Sequence, residues 1–114
     1  MTTYFGFAIA DSMFSGNCTI SREVLDVDTV RTMAENGELT PCINLSHVAT
    51  ISAMTSRFDI HVQIPETPPR VSVTTGDSVI VMGVRGLPRL TDRREYTDDE
   101  IAGATFTFTR YTVL

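Results

Sequence analysis

Residues 78–84 read Ser-Val-Ile-Val-Met-Gly-Val, a short and nearly all-apolar run. Apolar side chains on both parities of so short a segment predict a strand buried on both faces, hence a central one. The chain on either side of it gives the rest of the fold. Upstream, Thr75-Gly76-Asp77 is a turn signal, and with Arg70 to Val73 before it the pattern predicts a hairpin. Downstream, Arg85 to Glu95 is a long polar loop containing Gly86 and Pro88. Thr97 and Glu100 then have the spacing of a capping box, which predicts a short helix. From Ala104 to Val113, Phe106 and Phe108 alternate with threonines and predict the strand that closes the sheet.

The N-terminal half supplies the other elements. Thr3 to Ala8 is apolar on both faces and predicts a first central strand. No Lys or Arg precedes it, so it lacks the pattern of a signal peptide. A loop through Ser12, Phe14, Ser15 and Gly16 leads to a short strand over Cys18 to Val24. Asp26 is a candidate N-cap for a helix whose stripe is Val27, Val30, Met33 and Ala34, stopped by Asn36-Gly37. After an extended segment from Leu39 to Asn44, Ser46 is a candidate N-cap for a second helix to about Ser56, with Ile51 and Met54 on its apolar face. Ile60, Val62 and Ile64 alternate with Asp59, His61 and Gln63 and predict a half-exposed strand. Pro65, Thr67, Pro68 and Pro69 mark a loop. Strands interleaved with helices give an α/β (or α+β) domain: a mixed five- to six-stranded sheet with two or three helices, in a single domain over residues 1–114. A chain of this size buries enough surface for one core without staples.

Composition narrows the chemistry. All nine basic residues are arginine, which removes a Schiff-base lysine, a phosphate-loop lysine and a lysine general base. The formal net charge of −5 argues against DNA as a partner, since backbone binding needs a basic face. A small anion remains compatible where arginines cluster, and Arg70, Arg85, Arg89, Arg93 and Arg94 fall within one stretch of 25 residues. No apolar run approaches the roughly 20 residues that cross a bilayer, so no membrane association is expected. Cys18 and Cys42 are far apart and form neither a CxxC pair nor a zinc spacing, which predicts two partly buried free thiols in a reducing cytoplasm.

Two histidines are the first candidates for chemistry. His61 occupies a polar position of an alternating segment and reads as exposed. His47 falls on the first turn of the second helix, beside Ser46 and before Thr50. Helix N-termini offer unpaired N–H groups and partial positive charge, which attract phosphate. An imidazole there is suited to protonate a leaving alkoxide; packing or capping at a helix start is the competing reading. Gly76-Asp77-Ser78 is a turn and not a nucleophile elbow. Asp98, Asp99 and Glu100 suit the positive end of a helix and not a metal. No motif calls for a metal or an organic cofactor.

Several of these fragments, in order over most of the chain, resemble the small viral ring nucleases that act as anti-CRISPR proteins against type III systems. The family has an apolar first strand running into a loop with Met-Leu; Tyr4 to Ala8 and Met13-Phe14 are similar. It has Gly-His-x-x-Thr opening a helix, matched by Ser46-His47-Val48-Ala49-Thr50. Its Arg-Val-x-Val corresponds to Arg70-Val71-Ser72-Val73, and its Pro-Arg-Leu to Pro88-Arg89-Leu90. The resemblance implies a homodimer that binds a cyclic oligoadenylate, or a related cyclic nucleotide, across the dimer interface. It implies cleavage without metal: a ribose 2′-hydroxyl attacks the adjacent phosphorus, leaving a 2′,3′-cyclic phosphate, and His47 protonates the departing 5′-oxygen. Ser46, Thr50, Arg70, Arg89, Met13 and Ala10 would line the ligand. A virus-encoded protein acting in the cytoplasm of a bacterial or archaeal host is implied as well. The chain departs from the family where Asn-Ala-Phe-Ser is replaced by Phe7-Ala8-Ile9-Ala10, where a Gln is replaced by Gly83, and where Ser46 stands for Gly. These losses of polar contact keep two alternatives open: a protein that sequesters the signal without cutting it, and a dimeric inhibitor acting by protein contact.

Overall fold

The computed structural model describes residues 1–91 and 93–114. The strands are β1 (Thr3–Gly6), β2 (Ile20–Leu25), β3 (Leu39–Pro41), β4 (Ser78–Arg85) and β5 (Thr105–Val113); the helices are α1 (Val27–Glu35), α2 (Val48–Phe58) and α3 (Asp98–Gly103). Short 3-10 turns occupy Asp11–Met13 and Leu45–His47. One five-stranded sheet runs in the order β2-β5-β4-β1-β3. β1 is parallel to both β3 and β4, while β5 is antiparallel to β4 and β2. The mixed sheet and three helices agree with the expected architecture.

Both strands expected to be central are so, because each has cover on two sides. On one face Phe5, Ile80, Met82 and Phe108 pack with Val30, Ile43, Ile51, Met54 and Ile60, the main core. On the other, Val73, Val79 and Val113 gather with Tyr4, Met13, Phe14, Val71 and Val81. β5 closes no edge. It lies inside the sheet, and β2, exposed along most of its length, forms the rim.

Two expected strands are not strands. Arg70 to Val73 forms no hairpin with β4, whose neighbours are β1 and β5. The segment lies extended over the second face: the Val73 amide donates to the Met13 carbonyl (2.8 Å), and the Tyr4 hydroxyl donates to the Ser72 carbonyl (3.4 Å). Ile60, Val62 and Ile64 do alternate in burial with exposed His61 and Gln63, but the segment joins no ladder. Alternation reports one-sided burial, and an extended chain lying on a core satisfies that without pairing. Strand β1 stops at Gly6, two residues before the predicted end. Cys42 is half-buried as expected, whereas Cys18 is exposed; both are free thiols. The polar loop read over 85–95 includes Asp92, which lies outside the described residues.

The starts of α1 and α3 follow the capping signals. Asp26 accepts from the Thr29 amide at 2.8 Å. Thr97 and Glu100 form the reciprocal box, with bonds of 2.9 and 3.2 Å. Arg93 grips both carboxylate oxygens of Glu100 and so ties the loop after β4 to α3. That grip, with the Thr97 amide second, holds the Glu100 carboxyl down to about 2, against an ordinary 4.5. A carboxyl lowered on folding stabilises the fold fully above its unfolded value and progressively less below it. Acid titration followed by NMR is expected to show Glu100 unprotonated through pH 4 and the Arg93 contact released only as the pH approaches about 2, the stability it contributes declining from about pH 4.5 downward. A Glu100 titration centred at 4.5 would disprove the contact.

Candidate functional site

The parallel strands β1, β3 and β4 share one carboxyl edge, and the chain leaves β1 with neighbours on both sides. Ligands of open α/β sheets bind outside that edge. Three segments emerge there: residues 7–19 after β1, 42–47 after β3, and 86–91 after β4. Met13 and Ala10 lie on the first, Ser46 and His47 on the second, and Arg89 on the third.

The entry into α2 differs from the expected one. The cap is Asn44, not Ser46: its side-chain oxygen accepts from the Ser46 amide at 2.9 Å and also takes the Ser46 hydroxyl. The His47 amide donates to the Asn44 carbonyl (3.1 Å), and the Val48 amide donates to the Leu45 carbonyl. His47 therefore stands at the N-cap position of α2 instead of within its first turn, and its side chain makes no capping bond. The 3-10 turn has taken up the amides of residues 46, 47 and 48. A phosphate at this place would meet side chains and the positive end of α2, with those three donors already engaged.

His47 is half-buried, its ring 4.6 Å from the Phe7 ring and tilted by 57°. Nδ1 is enclosed with no hydrogen-bond partner, the one such side-chain atom among the described residues; Nε2 is not enclosed in this way. The ring is thus packed on one edge and open on the other. Phe7 was legible only as an apolar residue at a strand end, and its contact with His47 had no signal in the spacing.

Ser46 is exposed and Thr50 half-buried on the same turn as the ring. Ala10 and Met13 share the turn after β1, where the Met13 amide donates to the Ala10 carbonyl at 3.0 Å; Met13 packs into the second cluster and Ala10 is exposed. The Phe7–His47 contact joins these two turns. Arg70 and Arg89 are both exposed, and among the described residues no hydrogen bond or ion pair holds either guanidinium or links it to His47. β1 separates β3 from β4, and β4 runs five residues past Ile80, the rung level with the end of β3, so the two exits stand about 19 Å apart. Arg93 is engaged by Glu100, and Arg94 is exposed. His61 is exposed as expected and pairs with Asp59 at 2.7 Å. Among the described residues no three His, Cys, Asp or Glu side chains gather as a metal site would require, and no helix is long and apolar enough to cross a membrane.

No family model matches the chain, and no curated protein matches it. Among solved structures it is similar to B116 of Sulfolobus turreted icosahedral virus, with a TM-score of 0.69 and 19 % identity over 98 % of this chain and 99 % of that one. The superposition shows a shared fold, and at this identity it shows the fold alone.

Proposed function

We propose that the chain is a metal-independent ring nuclease that binds and cleaves a cyclic oligoadenylate, cyclic tetra-adenylate first among them, and so counters type III CRISPR defence. The observation that carries this reading is the His47 ring: set at the mouth of α2, outside the carboxyl edge of the parallel strands, with one nitrogen enclosed and the other accessible. A virus-encoded protein working in the cytoplasm of a bacterial or archaeal cell agrees with the fold it shares with a protein of an archaeal virus.

In the reaction, the ribose 2′-hydroxyl gives up its proton to water as its oxygen attacks the adjacent phosphorus and the P–O5′ bond breaks, and His47 later regains a proton from water. The 5′-oxygen leaves with the proton from Nε2 of His47, and the product ends in a 2′,3′-cyclic phosphate. Holding the 2′-oxygen in line supplies much of the acceleration. Arg70 and Arg89, exposed and without carboxylate partners among the described residues, would close on phosphoryl oxygens and stabilise the charge that develops there. Ser46 and Thr50 offer hydroxyls beside the ring, while Met13 and Ala10 line the turn opposite. A homodimer would present two such sets to a ring ligand with rotational symmetry.

The enclosed, unpartnered Nδ1 also favours a second reading. Among the described residues no carboxylate or carbonyl braces the ring from behind, as an orienting group does for a general acid–base histidine. A protein that holds the cyclic nucleotide without cutting it needs no such brace. Incubation with cyclic tri-, tetra- and hexa-adenylate in EDTA separates the readings. Linear products at catalytic enzyme concentration are expected. Intact ligand recovered after stoichiometric binding assigns sequestration instead. No rise in melting temperature with any ring rejects both, because a ligand of the native state must stabilise it, and leaves inhibition by protein contact.

A further inference from the structure

The face of the sheet opposite the main core is covered only in part. Beyond the second cluster, a trough of about 490 Å³ remains open across β2, β5 and β4. Alternation along β5 turns Phe106 and Phe108 toward the main core and Thr105, Thr107 and Thr109 into the trough. Gly83 forms its floor on β4, where an added Cβ would come within 2.6 Å of the Thr107 hydroxyl. Arg22 and Arg85 stand at its two ends, in register with Tyr111 and Thr105, a span of about 20 Å along β5.

Three features make this more than a gap in the packing. Arg22 is held in place, its Nε donating to the Tyr111 hydroxyl at 3.2 Å while the guanidinium lies over the Tyr111 ring. Thr109 is only 8 % exposed, yet among the described residues its hydroxyl has no partner. It is not an enclosed atom either, so it reaches solvent through the trough that it lines. Finally, among the described residues no carboxylate lines the trough, although the chain carries a net −5. Glu23, the nearest acid on β2, is turned away and paired with Arg110.

The geometry points to a second ligand site on this face, for an extended anion carrying several phosphoryl groups in a chain. Guanidiniums at the two ends would take terminal phosphoryl oxygens, and the threonine hydroxyls would donate to those between. A second copy of the protein fits less well, since it would bring two more arginines to a surface with no acid to receive them. The site lies on the sheet face away from α2 and is independent of the role given to His47.

A linear inorganic octaphosphate, long enough to reach both arginines, is the probe, in calorimetry and NMR titration at low salt. Saturable binding is expected, with shift changes at residues 105–109 and 22–24. Arg22→Gln and Arg85→Gln are each expected to weaken it about tenfold or more, the effect of a lost charge-assisted hydrogen bond. Thr109→Val, which keeps shape and strand propensity, is expected to weaken it several-fold, and His47→Ala to leave it unchanged. Absence of binding overturns the proposal. So does binding that is indifferent to both Arg85→Gln and Thr109→Val, or shift changes confined to residues 46–50, 70–73 and 86–91. Melting curves confirm that each variant is folded. Cleavage of cyclic oligoadenylates reports separately on His47.

Discussion

Replacing His47 by alanine is expected to slow cleavage of cyclic tetra-adenylate by ~10²-fold or more, the usual contribution of a positioned general acid. The same position should behave oppositely for stability. Nδ1 of His47 is enclosed without a partner, and an unsatisfied buried polar atom costs about 1–3 kcal/mol. The ring already lies against Phe7. His47→Phe removes the orphaned nitrogen and keeps a ring there, so it is expected to raise the melting temperature by a few degrees while abolishing cleavage. That opposition marks a residue kept for chemistry at the expense of stability. His47→Gln retains a hydrogen-bond donor near Nε2 but carries no transferable proton. It should bind the ring ligand nearly as well as the parent and cut it no faster than His47→Ala. Phe7→Leu tests the support of the ring: kcat should fall while KM changes little, because the ligand contacts remain and the ring loses its fixed tilt. An undiminished rate in His47→Ala would remove the histidine from the mechanism. A destabilised His47→Phe would show that Nδ1 has a partner in solution.

Much of the fold was readable in the sequence because each signal had a local cause. Capping at Asp26 and at Thr97 with Glu100 needs only neighbouring residues, and these helix starts fall where the residues place them. The apolar run at 78–84 reports burial on two faces, and β4 has it. Pairing was less legible, since a ladder depends on what lies beside a segment and not within it. Residues 60–64 and 70–73 carry correct patterns of burial but spend their backbone groups outside the sheet. The candidate site shows the same division. His47 at the start of a helix was visible; the 3-10 turn that shifts it to the cap and engages the neighbouring amides was not, because Asn44 competes with Ser46 as the cap. The closeness of Phe7 depends on the parallel pairing of β1 with β3, which brings the chain after each to one edge.

Phe108→Ala is expected to produce the largest loss of stability of any single change in the sheet, about 3–5 kcal/mol. Phe108 is buried to within 1 % and lies across from Met82 on one side and Leu25 on the other. Its ring is 6.4 Å from that of Phe5 and 6.2 Å, edge to face, from that of Phe58. It therefore fastens β5 to β1 and to α2 at once. Against a whole-domain stability of roughly 5–15 kcal/mol, the loss would leave a fold that melts at low denaturant. Phe106 packs edge to face on Phe58 at 5.2 Å but is only half-buried, so its alanine variant should lose distinctly less. Thr107, one residue from each and on the opposite face, should lose little. Urea unfolding of the three variants tests this order directly, and equal losses at 107 and 108 would contradict a sheet with one packed and one open face at this end. The site lies at the far side of β4, beyond the carboxyl edge of β1 and β3, so Phe108→Ala should lower activity only through the folded fraction. Activity per folded molecule that fell along with stability would mean that the main core, and not the Phe7 contact alone, sets the position of the His47 ring.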